Sequence, residues 1–247
     1  MIAGPDAAEW DVPPVPLDDA PHRPLKSMRF AWNTVFGSLP VTAETRNAIT
    51  KLADDLARLG CQVEQRMPRG FDIDAAWETW GEIVITERAA TAPDRVAERV
   101  AALNATLGDN VPVGRGSAKG ARATVADYMA ALTRRNILIG AWENLYQDFD
   151  AFLCPVTVGP AIPHVPFDTP IDVDGVKVPY FLAGTAYTCV FNLTGSPVVV
   201  VPLTRSKEGL PIGVQIVAKR WGEMALLAPA RQVALLTSPF VPPPGYA

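Results

Sequence analysis

Apolar and polar positions in the first part of the chain follow a strand period and then a helix period. Residues 28–32 form an apolar run of strand length, and the segment after Thr42 repeats apolar residues at three- and four-residue spacing, as an amphipathic helix does. Thr42 can cap this helix, and Gly60 stands where a left-handed residue often ends one. Residues 61–65 alternate apolar and polar side chains, so strand, helix and strand predict a βαβ unit. The helical stripe consists of Ile49, Leu52, Ala53, Leu56 and Leu59.

The middle of the chain predicts mainly helix. Residues 72–104 contain two helical segments that separate near Pro93, because proline cannot continue the helix before it. Thr124 and Asp127 have the spacing of a capping box, which predicts the start of the longest helix, over 125–149. Its predicted inner face comprises Val125, Tyr128, Met129, Leu132, Ile139, Trp142 and Tyr146.

Two segments rich in glycine or proline predict irregular structure. Residues 108–120 (GDNVPVGRGSAKG) predict a loop. Residues 155–184 predict a long connection with a turn at Asp174 and Gly175. Connections of this length are often functional in compact domains.

The last third predicts strands followed by a helix. A short strand is predicted over 151–154, and a strand covered on both faces over 197–203, because its apolar run is continuous and β-branched. A further strand is predicted over 210–218. Residues 223–236 predict a helix that Pro229 breaks or bends.

These elements together predict an α/β fold in which a β-sheet is flanked by helices. The fold is predicted over residues 26–247. Residues 1–25 contain six prolines, which predicts an extended lead-in. Because 49% of the residues are hydrophobic and 19% are charged, the composition excludes a disordered chain.

Charge and hydropathy argue against two classes of partner. The net charge is −4 and the basic residues are not clustered, so we expect no nucleic-acid partner. The longest apolar run, 197–203, is far shorter than the roughly 20 residues of a membrane-spanning helix, so we expect no membrane partner. Cys61, Cys154 and Cys189 are widely spaced, which predicts reduced thiols. With no signal peptide at the start, we expect a cytoplasmic protein.

The usual catalytic groups are scarce. The two histidines, His22 and His164, are not near a G-x-S-x-G turn, and none of the six serines is adjacent to another. The cysteines are far apart and H-E-x-x-H is absent, so we expect no metal site and no cofactor. Residues 114–120 superficially resemble a phosphate loop but lack its residue order, which favours a flexible surface loop.

The most informative stretch follows Thr188. It reads T-C-V-F-N-L-T-G-S-P-V-V-V-V-P-L and continues with G-L-P-I-G-V-Q-I-V from Gly209. Asn192 and Gly195 suit a tight turn that leads into a strand. From the residues alone, two interpretations stay open: the turn is purely structural, or it lines a pocket.

This stretch resembles the carboxy-terminal motif of the amidase signature family, in which a similar Asn-x-x-Gly-x-Pro run, an apolar strand and Gly-Leu-Pro-x-Gly-x-Gln follow in this order. The sequence D-A-F-L-C-P-V-T from Asp150 is similar to the family's aspartate, apolar strand and Pro-Thr after a long helix. The βαβ unit at 28–66 fits as well. The resemblance implies an α/β fold with a mixed β-sheet flanked by helices. It covers essentially the whole chain, but only the back half of the family, so the implied fold is incomplete.

The resemblance implies hydrolysis of C–N amide bonds through a serine acyl-enzyme, by a Lys–Ser–Ser triad. In the family, these residues lie in a segment before the part that this chain resembles. No catalytic residue is therefore carried over to this sequence. Ser117 and Lys119 are the closest pairing, two residues apart in the predicted loop.

The same resemblance implies substrate-binding residues. In relatives, the segment that matches 185–192 faces the acyl or amide pocket, so Thr188, Phe191 and Asn192 are the candidates. The alternative is that these residues serve turn formation and core packing.

We therefore predict the C-terminal portion of an amidase-type hydrolase that acts on a small-molecule amide and is inactive alone. The alternative is a non-catalytic binding or assembly module derived from the same fold. A relative of the glutamine-dependent amidotransferase subunit that serves transfer RNA is the third possibility. Because family members build one sheet from both halves, we expect an uncovered strand edge or apolar face. The expected partner is the missing N-terminal half, or a second copy through self-association.

Overall fold

The computed structural model describes residues 23–107, 111–162, 164–242 and 245. Within them, one mixed sheet has the strand order β2-β1-β3-β7-β6, and two further strands pair as a hairpin. The strands are β1 (Arg29–Trp32), β2 (Gln62–Gln65), β3 (Ala151–Pro155), β4 (Ile171–Val173), β5 (Val176–Val178), β6 (Val198–Arg205) and β7 (Pro211–Val217). The helices are α1 (Ala43–Arg58), α2 (Ile73–Thr91), α3 (Pro93–Leu107), α4 (Pro112–Gly120), α5 (Val125–Asp148), α6 (Tyr180–Thr185), α7 (Cys189–Thr194) and α8 (Glu223–Ala234).

The predicted βαβ unit is confirmed. Strands β1 and β2 are parallel neighbours, and α1 connects them. The Thr42 side chain accepts a hydrogen bond from the backbone N–H of Thr45 at 3.4 Å, and Gly60 has a φ of +92°. The predicted apolar stripe is buried except for Leu59, which is half exposed because it follows the last residue of α1.

Strand β3 lies at the centre of the sheet and separates two cores. It is parallel to β1 and antiparallel to β7. Because side chains alternate along a strand, Phe152 and Cys154 enter one core, and Ala151 and Leu153 enter the other. Helices α5, α6 and α7 cover the first face, and α1 and α8 cover the second. The prediction of a mixed sheet flanked by helices is confirmed.

The two helices predicted over 72–104 are confirmed as α2 and α3, but the loop predicted over 108–120 is wrong from residue 112 onward, where α4 forms. Helix α4 packs on α2 with almost no side chain between their backbones. A Cβ atom on Gly116 would lie 1.9 Å from the carbonyl oxygen of Glu78, and one on Gly81 would lie 2.6 Å from a backbone oxygen of α4. The glycines that suggested a flexible loop therefore permit close packing of two helices.

The capping box of α5 is confirmed, since the Thr124 and Asp127 side chains each accept from the other's backbone N–H. Its predicted inner face is wrong at the first turns. Val125 is 81% exposed and Met129 is 58% exposed, because α5 packs against α2 and α7 with a different face. The buried positions of α5 are Ala131, Leu138, Ile139, Trp142, Leu145 and Tyr146.

The connection over 155–184 contains more regular structure than its sequence predicted. Strands β4 and β5 pair antiparallel, and α6 follows them. The turn predicted at Asp174 and Gly175 is confirmed, with φ values of +51° and +87°. Positive φ at both central residues is the geometry that favours Asp-Gly in two-residue hairpins.

The strand predicted over 197–203 is present as β6, but it is not covered on both faces. Val200 is 53% exposed, and β6 is the last strand of the sheet. Pro202 lacks an N–H group, which sheets tolerate at an edge. Helix α8 is one continuous element that includes Pro229, so the predicted break is absent.

The predicted lead-in over 1–25 falls mostly outside the described residues. Its end is a short turn of 3₁₀ helix over Leu25–Ser27, and the division at residue 26 stays a prediction. Among the described helices, none is long and apolar enough to cross a membrane.

Candidate functional site

The residues predicted to bind substrate lie at the junction of α6 and α7, the short connection between Thr185 and Cys189 together with α7 itself. Thr188 precedes the first residue of α7, and the backbone N–H groups of Phe191 and Asn192 both donate to its carbonyl oxygen, at 3.1 and 3.2 Å. Gly195 follows the last residue of α7, and its φ of +67° confirms the predicted turn there. Asn192 was predicted to belong to that turn and instead lies within the helix.

Two buried hydrogen bonds fix this junction. The indole N–H of Trp77, from α2, donates to the carbonyl oxygen of Ala186 at 2.8 Å. The hydroxyl of Tyr187 donates to the carbonyl oxygen of Thr34, which follows β1, at 2.9 Å. The residues on either side of Thr188 are thus anchored to α2 and to the sheet.

The three predicted residues do not face the same way. Phe191 is 2% exposed and contacts Trp142 and Phe36, with ring centroids 5.2 and 6.5 Å away. Thr188 is half-buried, and its hydroxyl donates to the carbonyl oxygen of Thr185 at 3.0 Å. Asn192 is exposed, and its side chain has no hydrogen bond with the described residues. Thr188 and Asn192 are therefore placed one turn apart at the surface, with Phe191 in the core beneath them.

Four aromatic side chains next to this junction were not predicted. Phe181 lies in α6, one helical turn before Thr185. Its ring centroid is 6.1 Å from that of Trp80 in α2 and 6.3 Å from that of Phe167. The Phe167 and Tyr180 centroids are 5.7 Å apart. We call Trp80, Phe167, Tyr180 and Phe181 the aromatic patch. They belong to three separate segments, so no single stretch of sequence announces them.

The thiols near the junction are not nucleophiles. Burial raises the pKa of the Cys189 thiol to about 12 and raises the pKa of the Cys154 thiol well above its usual range. Since the thiolate is the reactive form, both groups stay protonated and inert near neutral pH. His164 lies exposed in the connection before β4, and His22 lies outside the described residues.

No serine hydroxyl of the described chain is hydrogen-bonded to a lysine or histidine side chain; that of Ser206 contacts the Glu208 carboxylate at 3.4 Å. Ser117 is buried between α2 and α4, and Lys119 forms an ion pair with Glu78. Among the hydrogen bonds of the described residues, none joins a serine hydroxyl to a lysine or histidine side chain. The closest sequence pairing therefore does not form a catalytic pair.

The Glu78 carboxylate is instead part of the α2–α4 contact. Arg115 and Lys119, both from α4, donate to its two oxygens. Burial alone would raise the pKa of Glu78, but the hydrogen bonds from Lys119 and Arg115 outweigh it and lower the pKa. The ion pairs with Arg115 and Lys119 therefore keep the Glu78 carboxylate ionised, and they serve the packing of α4 on α2.

Comparison with known proteins places these features in a family. The family model described as Amidase matches residues 1–227. The indoleacetamide hydrolase of Bradyrhizobium japonicum is 32% identical over 213 residues, which are 85% of this chain and 43% of that protein. The fatty acid amide hydrolase of Arabidopsis thaliana is 34% identical over 116 residues, 44% of this chain and 18% of that protein. The chain spans less than half the length of these relatives.

Solved structures share the fold at lower identity. A crystal structure of an amidase aligns with a TM-score of 0.68 at 21% identity, covering 91% of this chain and 48% of that one. A fatty acid amide hydrolase structure aligns with a TM-score of 0.63 at 15% identity, covering 93% and 43%. The family match, the indoleacetamide hydrolase and the shared fold together show that this chain belongs to the amidase signature family.

Proposed function

We propose that this chain is the C-terminal part of an amidase that hydrolyses the C–N bond of a small amide through a serine acyl-enzyme. The catalytic lysine and serines come from a polypeptide outside these 247 residues, and the chain alone is inactive. The observation that carries the proposal is the family match over residues 1–227, in a chain whose described serines have no lysine or histidine partner. An unactivated serine hydroxyl is a weak nucleophile.

In this proposal, the junction of α6 and α7 forms one wall of the substrate pocket. Thr188 and Asn192 lie at the surface one turn apart, and Asn192 has an amide side chain that is not engaged by the described residues. An amide both donates and accepts hydrogen bonds, which suits recognition of an amide substrate. Phe191 contributes by packing α7 onto the aromatic core.

The missing catalytic polypeptide is proposed to cover surfaces that this chain leaves open. Strand β6 has β7 on one side, and its other edge is the end of the sheet, where one backbone hydrogen bond, from the N–H of Ser238 to the carbonyl oxygen of Leu203, covers part of it. Val200 on β6 and Ile137 on α5 expose 53% and 69% of their surface. Exposed strand edges and apolar side chains favour association with another chain. A second copy of this chain is the alternative occupant.

The experiment compares the chain alone with a fusion. In the fusion, the portion of the Bradyrhizobium indoleacetamide hydrolase that has no counterpart here precedes this chain. We expect ammonia release from phenylacetamide by the fusion only. Turnover by the isolated 247-residue chain would overturn the proposal, because it would place the catalytic residues within the chain.

The non-catalytic module is the second candidate, and the absence of a serine–lysine or serine–histidine hydrogen bond in the described residues favours it equally. The amidase proposal and the non-catalytic module predict different results for the fusion. A fusion that folds and forms no acyl-enzyme with an amide, as detected by mass spectrometry, would favour the non-catalytic module.

A further inference from the structure

We propose that Arg220 binds the carboxylate group of a ligand, in a site formed by residues 219–222, which we call the β7–α8 turn. The carboxylate belongs either to a free organic acid or to an aspartate or glutamate side chain of the missing catalytic polypeptide. The site is separate from the proposed substrate wall, and binding there does not depend on amide hydrolysis.

Arg220 is a half-buried cation without a partner. Its Nε is buried, and its guanidinium has no hydrogen bond or ion pair with the described residues. An exposed guanidinium is solvated by water, but one that is partly withdrawn from water gains from pairing with an anion. The other arginines of the described chain that have no hydrogen bond or ion pair are all exposed, and they are Arg69, Arg88, Arg95, Arg99, Arg122 and Arg231.

The β7–α8 turn holds this guanidinium in place. The backbone N–H of Gly222 donates to the carbonyl oxygen of Lys219 at 3.1 Å and closes the turn. The backbone N–H of Arg220 donates to the carboxylate of Glu143, in α5, at 3.2 Å. A Cβ atom on Gly195 would lie 3.4 Å from the Nε of Arg220, so the arginine side chain lies against the end of α7. The turn, α5 and the end of α7 therefore position the cation together.

Trp221 places an aromatic ring beside the cation. Its φ is +60°, and among the non-glycine residues of the described chain only Asp174 shares a positive φ. A bulky residue in this conformation is strained, and such strain is concentrated at functional sites. The Cζ of Arg220 lies 5.6 Å from the centroid of the indole ring, which belongs to a residue that is 42% exposed. The apolar part of an organic acid can therefore contact the indole while its carboxylate meets the guanidinium.

The charges around Arg220 favour a singly charged ligand. A carboxylate matches the planar fork of a guanidinium and can accept two parallel hydrogen bonds from it. Glu143 contacts the turn, and Glu223 begins α8 directly after it, but neither carboxylate forms an ion pair with the guanidinium. Their negative charges repel a phosphate dianion more strongly than a carboxylate.

The test measures binding to the isolated 247-residue chain by ¹⁵N NMR at constant ionic strength, with the indole N–H signal of Trp221 as the reporter. Trp221→Phe assigns that signal by its disappearance. Sodium propanoate is the carboxylate probe, propanamide is its neutral counterpart and inorganic phosphate is the dianionic probe. We expect a saturable shift with propanoate, binding of phosphate about tenfold weaker, and no shift with propanamide.

Variants of two neighbouring cations separate a specific site from a general charge effect. Arg220→Gln should weaken propanoate binding about tenfold, because it removes a charge-assisted pair of hydrogen bonds. Lys219→Gln is the matched control, since it removes the same charge from an exposed side chain one residue away, and it should change binding less than about twofold. Arg220→Lys keeps the charge without the planar fork and should give an intermediate loss. The backbone N–H that binds Glu143 is present in every variant, so all should keep the wild-type circular dichroism spectrum.

The same titration of the fusion protein identifies the source of the carboxylate. Loss of propanoate binding in the fusion would indicate that the added polypeptide occupies Arg220. Propanoate binding that is unchanged from the isolated chain would indicate a free acid as the ligand.

Four results with the isolated chain would overturn the inference. They are the absence of a saturable shift with propanoate, equal binding by Arg220→Gln and the wild type, equal losses in Arg220→Gln and Lys219→Gln, and binding of propanamide or phosphate as tight as that of propanoate. No turnover is measured, so failure of the amidase proposal leaves this result unaffected. Failure of propanoate binding likewise leaves the amidase proposal in place.

Discussion

The two faces of α2 are packed in opposite ways. Toward α4, Gly81 meets Val113 and Ser117, and Gly116 of α4 meets the backbone of Glu78 and Glu82, with almost nothing but backbone between the two helices. Toward the junction of α6 and α7, α2 presents Trp77 and Trp80, the largest side chains available. The contact with α4 depends on the absence of side chains, and the contact with the junction of α6 and α7 depends on large ones.

The difference distinguishes the face of α2 that serves packing from the face that is proposed to line the substrate pocket. Close backbone approach leaves no space for a ligand, and the ion pairs around Glu78 close the same contact. The tryptophan face has one indole N–H bonded to Ala186 and another, on Trp80, that has no hydrogen bond with the described residues. The substrate wall is therefore proposed on the tryptophan face, and the glycine face serves to hold α2 in place.

Filling the glycine contact should have the largest effect. In Gly116→Ala, the added Cβ would lie 1.9 Å from the carbonyl oxygen of Glu78, an atom that belongs to the backbone and cannot rotate away. We expect a loss of about 3 kcal/mol or more in the free energy of unfolding, since overpacking forces the helices apart. Urea denaturation followed by circular dichroism measures it.

The matched control is Gly140→Ala in α5, where a Cβ would meet nothing within 4 Å. That variant should gain about 0.5–1 kcal/mol, because alanine is the better helix former. A similar stability for Gly116→Ala and Gly140→Ala would contradict the close packing of α2 on α4.

The same glycines explain what the sequence could not predict. Apolar spacing correctly predicts α1, and the capping residues Thr124 and Asp127 correctly predict where α5 begins. Glycine lowers helix propensity whatever its neighbours are, so residues 112–120 predict a loop until the α2 backbone is placed beside them. Helix formation there depends on a tertiary contact, which no local pattern contains.

The tryptophan face should respond to loss of a single hydrogen bond. Trp77→Phe removes the indole donor from the buried carbonyl oxygen of Ala186 and leaves it only the weak thiol donor of Cys189 at 3.5 Å, which costs about 1–3 kcal/mol. Trp142→Phe is the control, because its indole N–H is buried and has no partner among the described residues. We expect Trp77→Phe to lose about 1 kcal/mol more than Trp142→Phe in urea denaturation. Equal losses would mean that the bond to Ala186 does not stabilise the junction.

The candidate site was predictable only in part, for a related reason. The family motif pointed to Thr188, Phe191 and Asn192, which are contiguous in sequence, and their role stays a prediction. It did not reveal that Phe191 is core while its neighbours are at the surface, because that depends on how α7 lies on the sheet. The aromatic patch combines α2, the connection before β4 and α6, and only the folded chain brings these segments together.

The smallest predicted effect concerns pH and applies to the glycine face alone. Folding lowers the pKa of Glu78 from its ordinary value of 4.5, because the hydrogen bonds from Lys119 and Arg115 outweigh the effect of burial. A carboxyl whose pKa is lowered by folding stabilises the protein above its unfolded pKa, and that contribution is lost as pH falls through the lowered pKa. The bond from Trp77 to Ala186 joins neutral groups, so acid should weaken the α4 contact and leave the junction of α6 and α7 in place.

Urea denaturation at neutral pH and at about pH 3 should show a smaller acid-induced loss in the free energy of unfolding of Glu78→Gln than of the wild type. In a Lys119→Met background the difference should shrink, and an identical loss with and without Glu78 would place the pH dependence elsewhere in the molecule.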